Sequence, residues 1–145
     1  MRKRNTPTEA LVLQVLDTAA ALERGLDTAL SHSRGVTFRE YRLLQTLSQA
    51  SDKGLTRVAL ARSTSVTPSA VTRALKPLEK LGYVTTARNE RDARQSLAAL
   101  TKGGEELLRD VAGVLTDYFN DLGVQSEDQA QLEALLQVLT RLQRR

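Results

Sequence analysis

The chain has 145 residues, no cysteine and a single histidine, His32, and its formal net charge is +4. This length suits one domain of ordinary size, and the composition excludes a disulfide framework, a thiol-based redox switch and a histidine-rich metal cluster. Polar residues follow the basic start of the chain, and no apolar run approaches the ~18 residues of a membrane span. The sequence therefore predicts a soluble, cytoplasmic protein with no metal and no cofactor.

The first predicted element is a long helix from Pro7 to about Ser31. Thr6 is a good N-cap, Pro7 fits the first helical position, and Glu9 completes a capping box. The apolar residues that follow at intervals of three and four are Val12, Val15, Ala19, Leu22, Leu26 and Ala29. So narrow a stripe indicates a helix that packs along another helix.

A second capping box, at Thr37 and Glu40, predicts a helix to about Ala50. Its predicted buried residues are Tyr41, Leu44 and Leu47. Residues 52–54 have the composition of a turn, which is expected to follow this helix.

A short helix is predicted next, with Thr56 as its N-cap and an end at about Arg62. We expect it to bury Val58 and Leu60. Residues 63–66 would then form the turn to the following helix, as in a helix-turn-helix.

The following helix opens with Thr67 and Pro68 and is expected to have a kink at Pro77. It is expected to continue to Leu81, which would extend its apolar face. At 100° per residue, its residues divide into two opposite faces. The polar face holds Ser69, Thr72, Arg73, Lys76 and Lys80, and the apolar face holds Val71, Ala74, Leu75 and Leu78. Small hydroxyl groups and basic side chains on one face suit a helix that enters a major groove, although a solvated amphipathic helix has the same pattern.

Residues 83–86 and 95–100 predict a two-stranded antiparallel wing joined by a strongly charged turn. Asp92 and Arg94 are two residues apart in that turn, a spacing at which the carboxylate can hold the guanidinium in one direction. An arginine fixed in this way can enter a narrow minor groove. The alternative is a charged hairpin tip that serves only solubility.

Two more helices are predicted after the wing. Thr101 is expected to cap the first, which runs to about Leu122. Its apolar residues are Leu107, Leu108, Val111, Val114, Leu115, Tyr118 and Leu122. Residues 126–129 form a third capping box before the last helix, whose apolar residues are Leu132, Leu135, Leu136, Leu139 and Leu142.

Positive charge is concentrated in residues 55–102, where nine basic and three acidic residues give a net +6, more than the +4 of the whole chain. Such a concentration favours binding to a phosphate backbone. An enzyme is disfavoured because the chain has no cysteine, one histidine and no glycine-rich phosphate loop, and no catalytic residue is predicted. Five aromatic residues are too few for a single-strand stacking platform. A winged helix that binds proteins remains an alternative, and steep salt dependence of duplex binding would discriminate against it.

From Thr37 to Gly103 the chain resembles the MarR (multiple antibiotic resistance regulator) family of bacterial winged-helix transcription factors. The similar segments are Leu60-Ala61, Val66-Thr67, Val71-Thr72-Arg73, Leu78-Glu79-x-x-Gly82, Asp92-x-Arg94 and Leu100-Thr101-x-x-Gly104. Thr64 and Ser65 stand where many relatives have leucine and glycine, a difference that can change the inter-helix turn and the tilt of the recognition helix.

The resemblance implies a mainly α fold with a small β-wing within a single domain, residues 1–145. A winged helix-turn-helix DNA-binding lobe at residues 37–102 would join dimerisation helices at residues 7–33 and 104–145. The leucine stripes of the terminal helices also have too few partners in one small core, which indicates a second copy. The implied function is a homodimeric transcriptional regulator, most simply a repressor, that binds a pseudo-palindromic duplex operator.

Most of the expected DNA contacts have a basic or hydroxylated side chain, and Asp92 is included because it would orient one of them. They are Thr67, Ser69, Thr72, Arg73, Lys76, Arg88, Arg91, Asp92 and Arg94. The resemblance assigns major-groove contact to Ser69, Thr72 and Arg73, minor-groove insertion to Arg94 and its orientation to Asp92, while Arg88 and Arg91 would contact phosphates.

Many relatives respond to small anionic or phenolic ligands that release the DNA. These ligands bind in the crevice between the dimerisation helices and the DNA-binding lobe. Residues of this chain that could line such a crevice are His32, Phe38, Tyr41 and Tyr118. Aromatic residues with polar tips are also ordinary half-buried core, and His32 resembles a helix end or an exposed loop.

Overall fold

Six helices and three strands make up the part of the chain that the computed structural model describes, namely residues 6–50, 54–124 and 128–143. In chain order they are α1 (Pro7–Arg34), α2 (Phe38–Ser48), β1 (Leu55–Thr56), α3 (Arg57–Thr64), α4 (Pro68–Lys80), β2 (Val84–Asn89), β3 (Asp92–Leu100), α5 (Lys102–Asp121) and α6 (Gln129–Gln143). The predicted fold class, mainly α with a small β-wing, is confirmed.

The chain divides into two compact units, Met1–Leu115 and Thr116–Arg145. The first unit holds α1 to α4, the sheet and most of α5, and the second holds the end of α5 and all of α6. Every residue of the predicted DNA contacts lies in the first unit.

The two predicted capping boxes at the start of the chain are confirmed. Thr6 Oγ1 accepts from the Glu9 amide at 3.2 Å, and Glu9 Oε2 accepts from the Thr6 amide at 2.7 Å. Thr37 and Glu40 make the same pair of bonds at 3.1 and 2.8 Å. Each box satisfies two backbone N–H groups that a helix start leaves without partners, which fixes where α1 and α2 begin.

The ends of these two helices differ slightly from prediction. α1 continues three residues past Ser31 to Arg34, and Gly35 then closes it in the left-handed conformation with φ 67°. No strong helix breaker precedes that glycine, so the helix reaches the first residue that easily adopts positive φ. α2 ends at Ser48.

The predicted two-stranded antiparallel wing is confirmed as the hairpin of β2 and β3, and the sheet contains a third strand, β1, that the sequence did not predict. β1 pairs antiparallel with β3, with Leu55 opposite Ala98 and Thr56 opposite Leu97, and β3 lies between β1 and β2. Two residues are too short a segment to show a strand period in the sequence. Gly54 lies so close to β3 that a Cβ there would be 2.2 Å from the Ala98 carbonyl oxygen. The rest of the turn predicted at residues 52–54 falls outside the described residues.

The strands of the hairpin are longer than predicted, and the turn between them contains only residues 90 and 91. Arg88, Asp92 and Arg94 therefore lie on strands rather than in a loop. The register places Arg88 opposite Ser96 and then shifts by a bulge, so that Asn89 faces Asp92.

The inter-helix turn begins later than predicted, because α3 includes residues 63 and 64. Thr64 Oγ1 donates to the Leu60 carbonyl at 2.6 Å, and Ser65 ends the helix with φ 56°. A serine occupies here a left-handed position that suits glycine.

The core of the first unit is formed mainly by buried leucines and valines of its helices and of β2, while β3 contributes Ala98. They include Leu26, Leu30, Val36, Leu43, Leu44, Leu47, Leu60, Val71, Leu75, Leu78, Val84, Leu107, Val111 and Leu115. The predicted burial of Leu44, Leu47 and Leu60 is confirmed, and Tyr41 is half-buried.

Two predicted core positions are exposed. Val58 is 57% exposed, and Ala61 is buried beside Leu60 in its place. Residues 58 and 60 lie about 200° apart on a helix, so they cannot both face one core. Leu81, expected to extend the apolar face of α4, is also 57% exposed because it follows the last helical residue.

The Thr101 cap is confirmed and connects the wing to α5. Thr101 Oγ1 accepts from the Gly104 amide at 3.1 Å and donates to the Gly82 carbonyl at 2.5 Å. A Cβ at position 104 would lie 2.3 Å from the Tyr83 carbonyl oxygen, so only glycine allows this approach. These contacts explain why a threonine and a glycine occur at this spacing.

In the second unit, α6 begins after Asp128, whose Oδ1 accepts from the Ala130 amide at 2.8 Å. Residues 126 and 127 of the predicted third capping box fall outside the described residues. Across the described part of the chain, no helix has both the length and the apolar character that a bilayer crossing needs.

Candidate nucleic-acid interface

The polar and apolar faces predicted for α4 are confirmed. Val71, Leu75 and Leu78 are buried against the rest of the first unit. Ser69, Arg73, Lys76 and Lys80 are exposed, and Thr72 is part-buried. The helix therefore presents hydroxyl and basic side chains to solvent along one side while its apolar side anchors it.

The hydroxyl groups of α4 are partly used by the helix itself. Thr67 Oγ1 caps the helix by accepting from the Ala70 amide at 3.2 Å. Thr72 donates its hydroxyl proton to the Pro68 carbonyl at 3.0 Å, which leaves the oxygen as an acceptor. A base amino group is thus a suitable partner for Thr72.

Pro77 lies inside α4, yet the helix continues around it. The Leu81 amide donates to the Pro77 carbonyl at 3.0 Å, and Leu78 is buried. The apolar contacts on both sides of the proline hold the last turn in place. The kink at Pro77 stays a prediction.

At the wing, the prediction that the Asp92 carboxylate holds the Arg94 guanidinium was wrong, because Asp92 bonds the backbone of Arg94 instead. Asp92 Oδ1 accepts from the backbone amide of Arg94 at 3.0 Å, and within the described residues no ion pair joins the two side chains. An aspartate commonly bonds an amide two residues ahead, a local contact that competes with a longer side-chain pair. Asp92 therefore fixes the backbone at Arg94 and leaves the guanidinium exposed.

The turn of the wing is held in a similar way. Asn89 Oδ1 accepts from the Arg91 amide at 3.0 Å. Arg88, Arg91 and Arg94 are all exposed. The hairpin thus presents three cationic side chains on a backbone that two side-chain contacts hold.

Sequence reasoning missed two contacts that join the helices to the wing. Thr86 Oγ1 on β2 donates to Glu79 Oε1 on α4, and Arg57 Nη1 on α3 donates to Ser96 Oγ on β3. The signal for the first was a lone acidic residue on a basic helix. The second depends on β1, which the sequence does not reveal.

The residues predicted for a ligand crevice are only partly together. Phe38 and Tyr41 stack with centroids 6.0 Å apart, and Phe38 lines an open cleft of about 270 Å³. The other lining residues of this cleft are Glu23, Arg39, Arg42, Thr64, Ser65 and Val66. His32 is exposed near the end of α1, with Nδ1 2.8 Å from the Thr28 carbonyl oxygen. Tyr118 belongs to the second unit, where its ring meets that of Phe119 edge-on at 6.0 Å.

The first half of α1 exposes much of its apolar surface. Of the predicted stripe, Leu26 is buried, while Val12 and Leu22 are exposed. Further exposed apolar residues of this segment are Leu11, Leu13 and Leu16. In α6 the exposed ones are Leu135, Leu136 and Leu142. No leucine of α6 is fully buried within this chain.

Comparison with known proteins finds the same architecture. The sequence profile of the MarR family matches residues 34–95. An HTH-type transcriptional repressor of Mycobacterium bovis and one of Mycobacterium tuberculosis are each 35% identical over 96 residues, which is 66% of this chain and 67% of theirs.

Solved structures agree over nearly the whole length. A MarR family transcriptional regulator from Streptomyces coelicolor, solved in complex with DNA, superposes with a TM-score of 0.87 at 27% identity over 98% of this chain and 89% of that one. A second regulator of this family from the same organism superposes with a TM-score of 0.79 at 25% identity, over 97% and 95% of the two chains.

Proposed function

Because this chain belongs to the MarR family of transcriptional regulators, we propose that it is a cytoplasmic, homodimeric repressor that binds a roughly two-fold symmetric duplex operator. The observation that carries the proposal is the exposed basic and hydroxylated face of α4 opposite its buried leucines. A helix held in this way is presented as a rigid unit to a major groove.

Within this proposal, Ser69, Thr72 and Arg73 contact base edges. A small hydroxyl allows close approach to the bases, and an arginine suits the two acceptors of guanine. Lys76, one turn further along α4, and the cap residue Thr67 lie where backbone phosphates pass.

The wing would contact the neighbouring minor groove. Arg94 extends from a backbone that Asp92 fixes, so its guanidinium enters the groove with less loss of conformational freedom than one on a mobile loop. Arg88 and Arg91 flank it and contact phosphates. The S. coelicolor regulator of similar fold, which was solved in complex with DNA, supports DNA binding by this chain.

The dimer is supported by surface chemistry. Leu16 is 60% exposed and Leu136 is 62% exposed, and each lies among other exposed leucines on its helix. Contiguous apolar surface of this kind marks an interface, and a second copy of the same chain provides matching surface by symmetry. We therefore assign dimerisation to residues 7–33 and 104–145 and DNA binding to residues 37–102.

Repression is the regulatory direction that the mycobacterial relatives support, since both are described as repressors. A protein of this size represses most simply by occupying the operator. The match to these relatives covers about two thirds of each chain. The region that matches the family profile, residues 34–95, includes α4.

Selection of bound duplexes from a random pool tests the proposal. We expect enrichment of an inverted repeat whose half-sites lie about one helical turn, ~10 base pairs, apart. Arg73→Ala should relax the enriched sequence while the protein still binds. Absence of any enriched sequence, at low salt, would contradict operator binding and favour the protein-binding alternative.

A small anionic effector is a second, subordinate proposal. The cleft beside Phe38 contains Arg39 and Arg42, and Glu23 on α1 lies 3.7 Å from Arg39. Asp27 on α1 also accepts from the Phe38 amide at 2.6 Å, so carboxylates of α1 hold the start of α2. An anion in the cleft would compete with Glu23 for Arg39 and change how α1 meets the DNA-binding lobe.

Benzoate, an aromatic carboxylate, is a suitable probe of this cleft. We expect benzoate to weaken operator binding of the parent protein and to have no effect on Arg42→Ala. Equal sensitivity in both proteins would place the effect elsewhere. A ligand shifts operator affinity only by its preference for one arrangement of the protein, so the size of the shift measures that preference.

A further inference from the structure

Beside the wing, on the side of α3, lies an open cleft of about 360 Å³ that is distinct from the base-contacting face of α4. Its lining residues are Thr56, Arg57, Val58, Arg94, Gln95 and Ser96. Two of the six are arginines and none is acidic. Two guanidinium groups that share a cleft without a carboxylate favour the binding of an anion.

The pairing of β1 with β3 brings these residues together. Thr56 lies opposite Leu97, so the next residue, Arg57, starts α3 directly beside Ser96. The register of β3 shifts by a bulge between Asp92 and Ser96, and Arg94, Gln95 and Ser96 all line the cleft. The short strand that the sequence does not reveal thus places an arginine of α3 next to the arginine of the wing.

The hydrogen bonds of Arg57 leave donors free for a ligand. Nη1 donates to Ser96 Oγ, which holds the guanidinium at the wall of the cleft. Nε is buried and has no hydrogen-bond partner among the described residues. A guanidinium carries five N–H donors, and burying a donor without an acceptor is unfavourable. Because Nε is buried, the donors that an oxygen-rich anion in the cleft would meet are the remaining N–H groups on Nη1 and Nη2.

The nearest carboxylate along the chain does not neutralise the cleft. Asp92 accepts from the Arg94 backbone amide, and within the described residues the ion pairs are Arg34 with Asp110 and Arg39 with Glu23. Neither Arg57 nor Arg94 takes part in them. Both guanidinium charges are thus available to an incoming anion.

The remaining lining indicates which anion fits. Val58 is 57% exposed and forms an apolar wall beside the two arginines. A free inorganic phosphate has no use for such a wall, whereas a phosphate in a DNA strand carries a deoxyribose on each side. The cleft also opens next to Arg94, the residue that we assign to the minor groove.

We propose that this cleft binds one backbone phosphate of the duplex, with Arg57 as the contacting side chain and Ser96 as the residue that orients it. This inference rests on the proposed function, because it needs duplex binding by the parent protein. It assigns to the start of α3 a phosphate contact that anchors the wing side of the DNA-binding lobe. Such a contact contributes affinity without sequence preference.

The salt dependence of duplex binding tests the inference. The variant is Arg57→Gln, which removes the charge and keeps an N–H group that can donate to Ser96. Arg62→Gln is the matched control, because it removes the same charge from an exposed site on the same helix that does not line the cleft. The probes are a duplex selected from the random pool and a duplex of random sequence.

For Arg57→Gln we expect weaker binding to both duplexes by a similar factor. The slope of log K against log salt should decrease by about one unit for each protomer bound. Arg62→Gln should leave that slope unchanged. An unchanged slope in Arg57→Gln, or an equal decrease in both variants, would overturn the inference.

Two further measurements separate the remaining explanations. Ser96→Ala keeps the charge of Arg57 and should keep the slope of log K against log salt. If Ser96→Ala and Arg57→Gln instead lose the same affinity, and neither changes the slope, Arg57 only supports the wing. Inorganic phosphate, added at constant ionic strength, should raise the melting temperature of the parent no more than that of Arg57→Gln. If phosphate stabilises the parent more, and Arg57→Gln binds duplexes as the parent does, the cleft binds free phosphate instead.

The parent protein separates this inference from the proposed function. If the parent binds neither duplex at low salt, the proposed function fails. If the parent binds both and Arg57→Gln keeps its slope, only the phosphate site fails. Far-ultraviolet circular dichroism of each variant verifies that it is folded.

Discussion

The winged lobe, residues 37–102, and the terminal helices differ in how far they bury their apolar side chains. In the winged lobe, α4 buries Val71, Leu75 and Leu78 within the same chain. In the terminal helices, Leu16 and Leu136 are more exposed than buried. The hydrophobic effect drives both patterns, and only the first is completed by one chain. The difference supports our proposal that the terminal helices pack against a second copy, whereas the apolar face of α4 is already covered within one chain.

The largest expected effect tests whether the core of the lobe is closed. Leu75→Ala should lower the free energy of unfolding by about 2–5 kcal/mol, because it leaves a cavity in a packed core. Urea denaturation followed by circular dichroism measures this loss. Leu81→Ala, at an exposed site just past the same helix, should change it by less than about 0.5 kcal/mol. Equal losses would remove the contrast between buried and exposed leucines.

The next effect concerns the terminal helices. Leu16→Glu should weaken self-association by at least about a hundredfold, since a leucine contributes about 1.5–3 kcal/mol on burial and a two-fold dimer buries it twice. Sedimentation over a range of concentrations measures this change. Leu81→Glu introduces the same charge at a similarly exposed leucine of the lobe and should leave association intact. Loss of association in both variants would mean that the lobe, too, lies in the interface.

A third prediction assigns DNA contact to the lobe alone. Arg94→Ala should lose roughly 1–3 kcal/mol of specific binding without loss of fold, because it removes a minor-groove contact. Fluorescence anisotropy with the selected duplex measures the loss. Arg109→Ala, an exposed arginine on α5, serves as control and should bind as the parent does. Parent-like binding by Arg94→Ala would show that the wing assignment is wrong.

The smallest effect compares the two capping boxes. Thr37→Ala should cost about 1 kcal/mol of unfolding free energy, since α2 lies in the core of the lobe. Thr6 caps a segment of α1 that buries little surface. Thr6→Ala should therefore cost less, because that segment frays locally. Thermal unfolding of both variants at low protein concentration, where dimers dissociate, makes the comparison. A larger loss for Thr6→Ala would show that α1 is supported within one chain.

Local features of the sequence were the most predictable. Thr6 with Glu9 and Thr37 with Glu40 mark their helix starts through bonds that span three residues, so no tertiary information is needed. The faces of α4 follow from helix geometry alone.

Features that depend on tertiary pairing were missed. β1 is two residues long and exists because β3 lies beside it, and its pairing in turn places Arg57 at Ser96. The Asp92 contact was assigned to the wrong atom because charge complementarity suggests a side-chain pair, while the nearby amide is a closer partner. Sequence patterns thus predicted which face of α4 is exposed, and the structure was needed for what each side chain touches.

The central claim is that two copies of the winged lobe bind one duplex together. Sedimentation equilibrium with the selected inverted repeat, and with a duplex that carries only one half-site, tests it most directly. The account predicts two protomers on the inverted repeat and much weaker binding to the single half-site. One protomer on each duplex, with equal affinity for both, would contradict it.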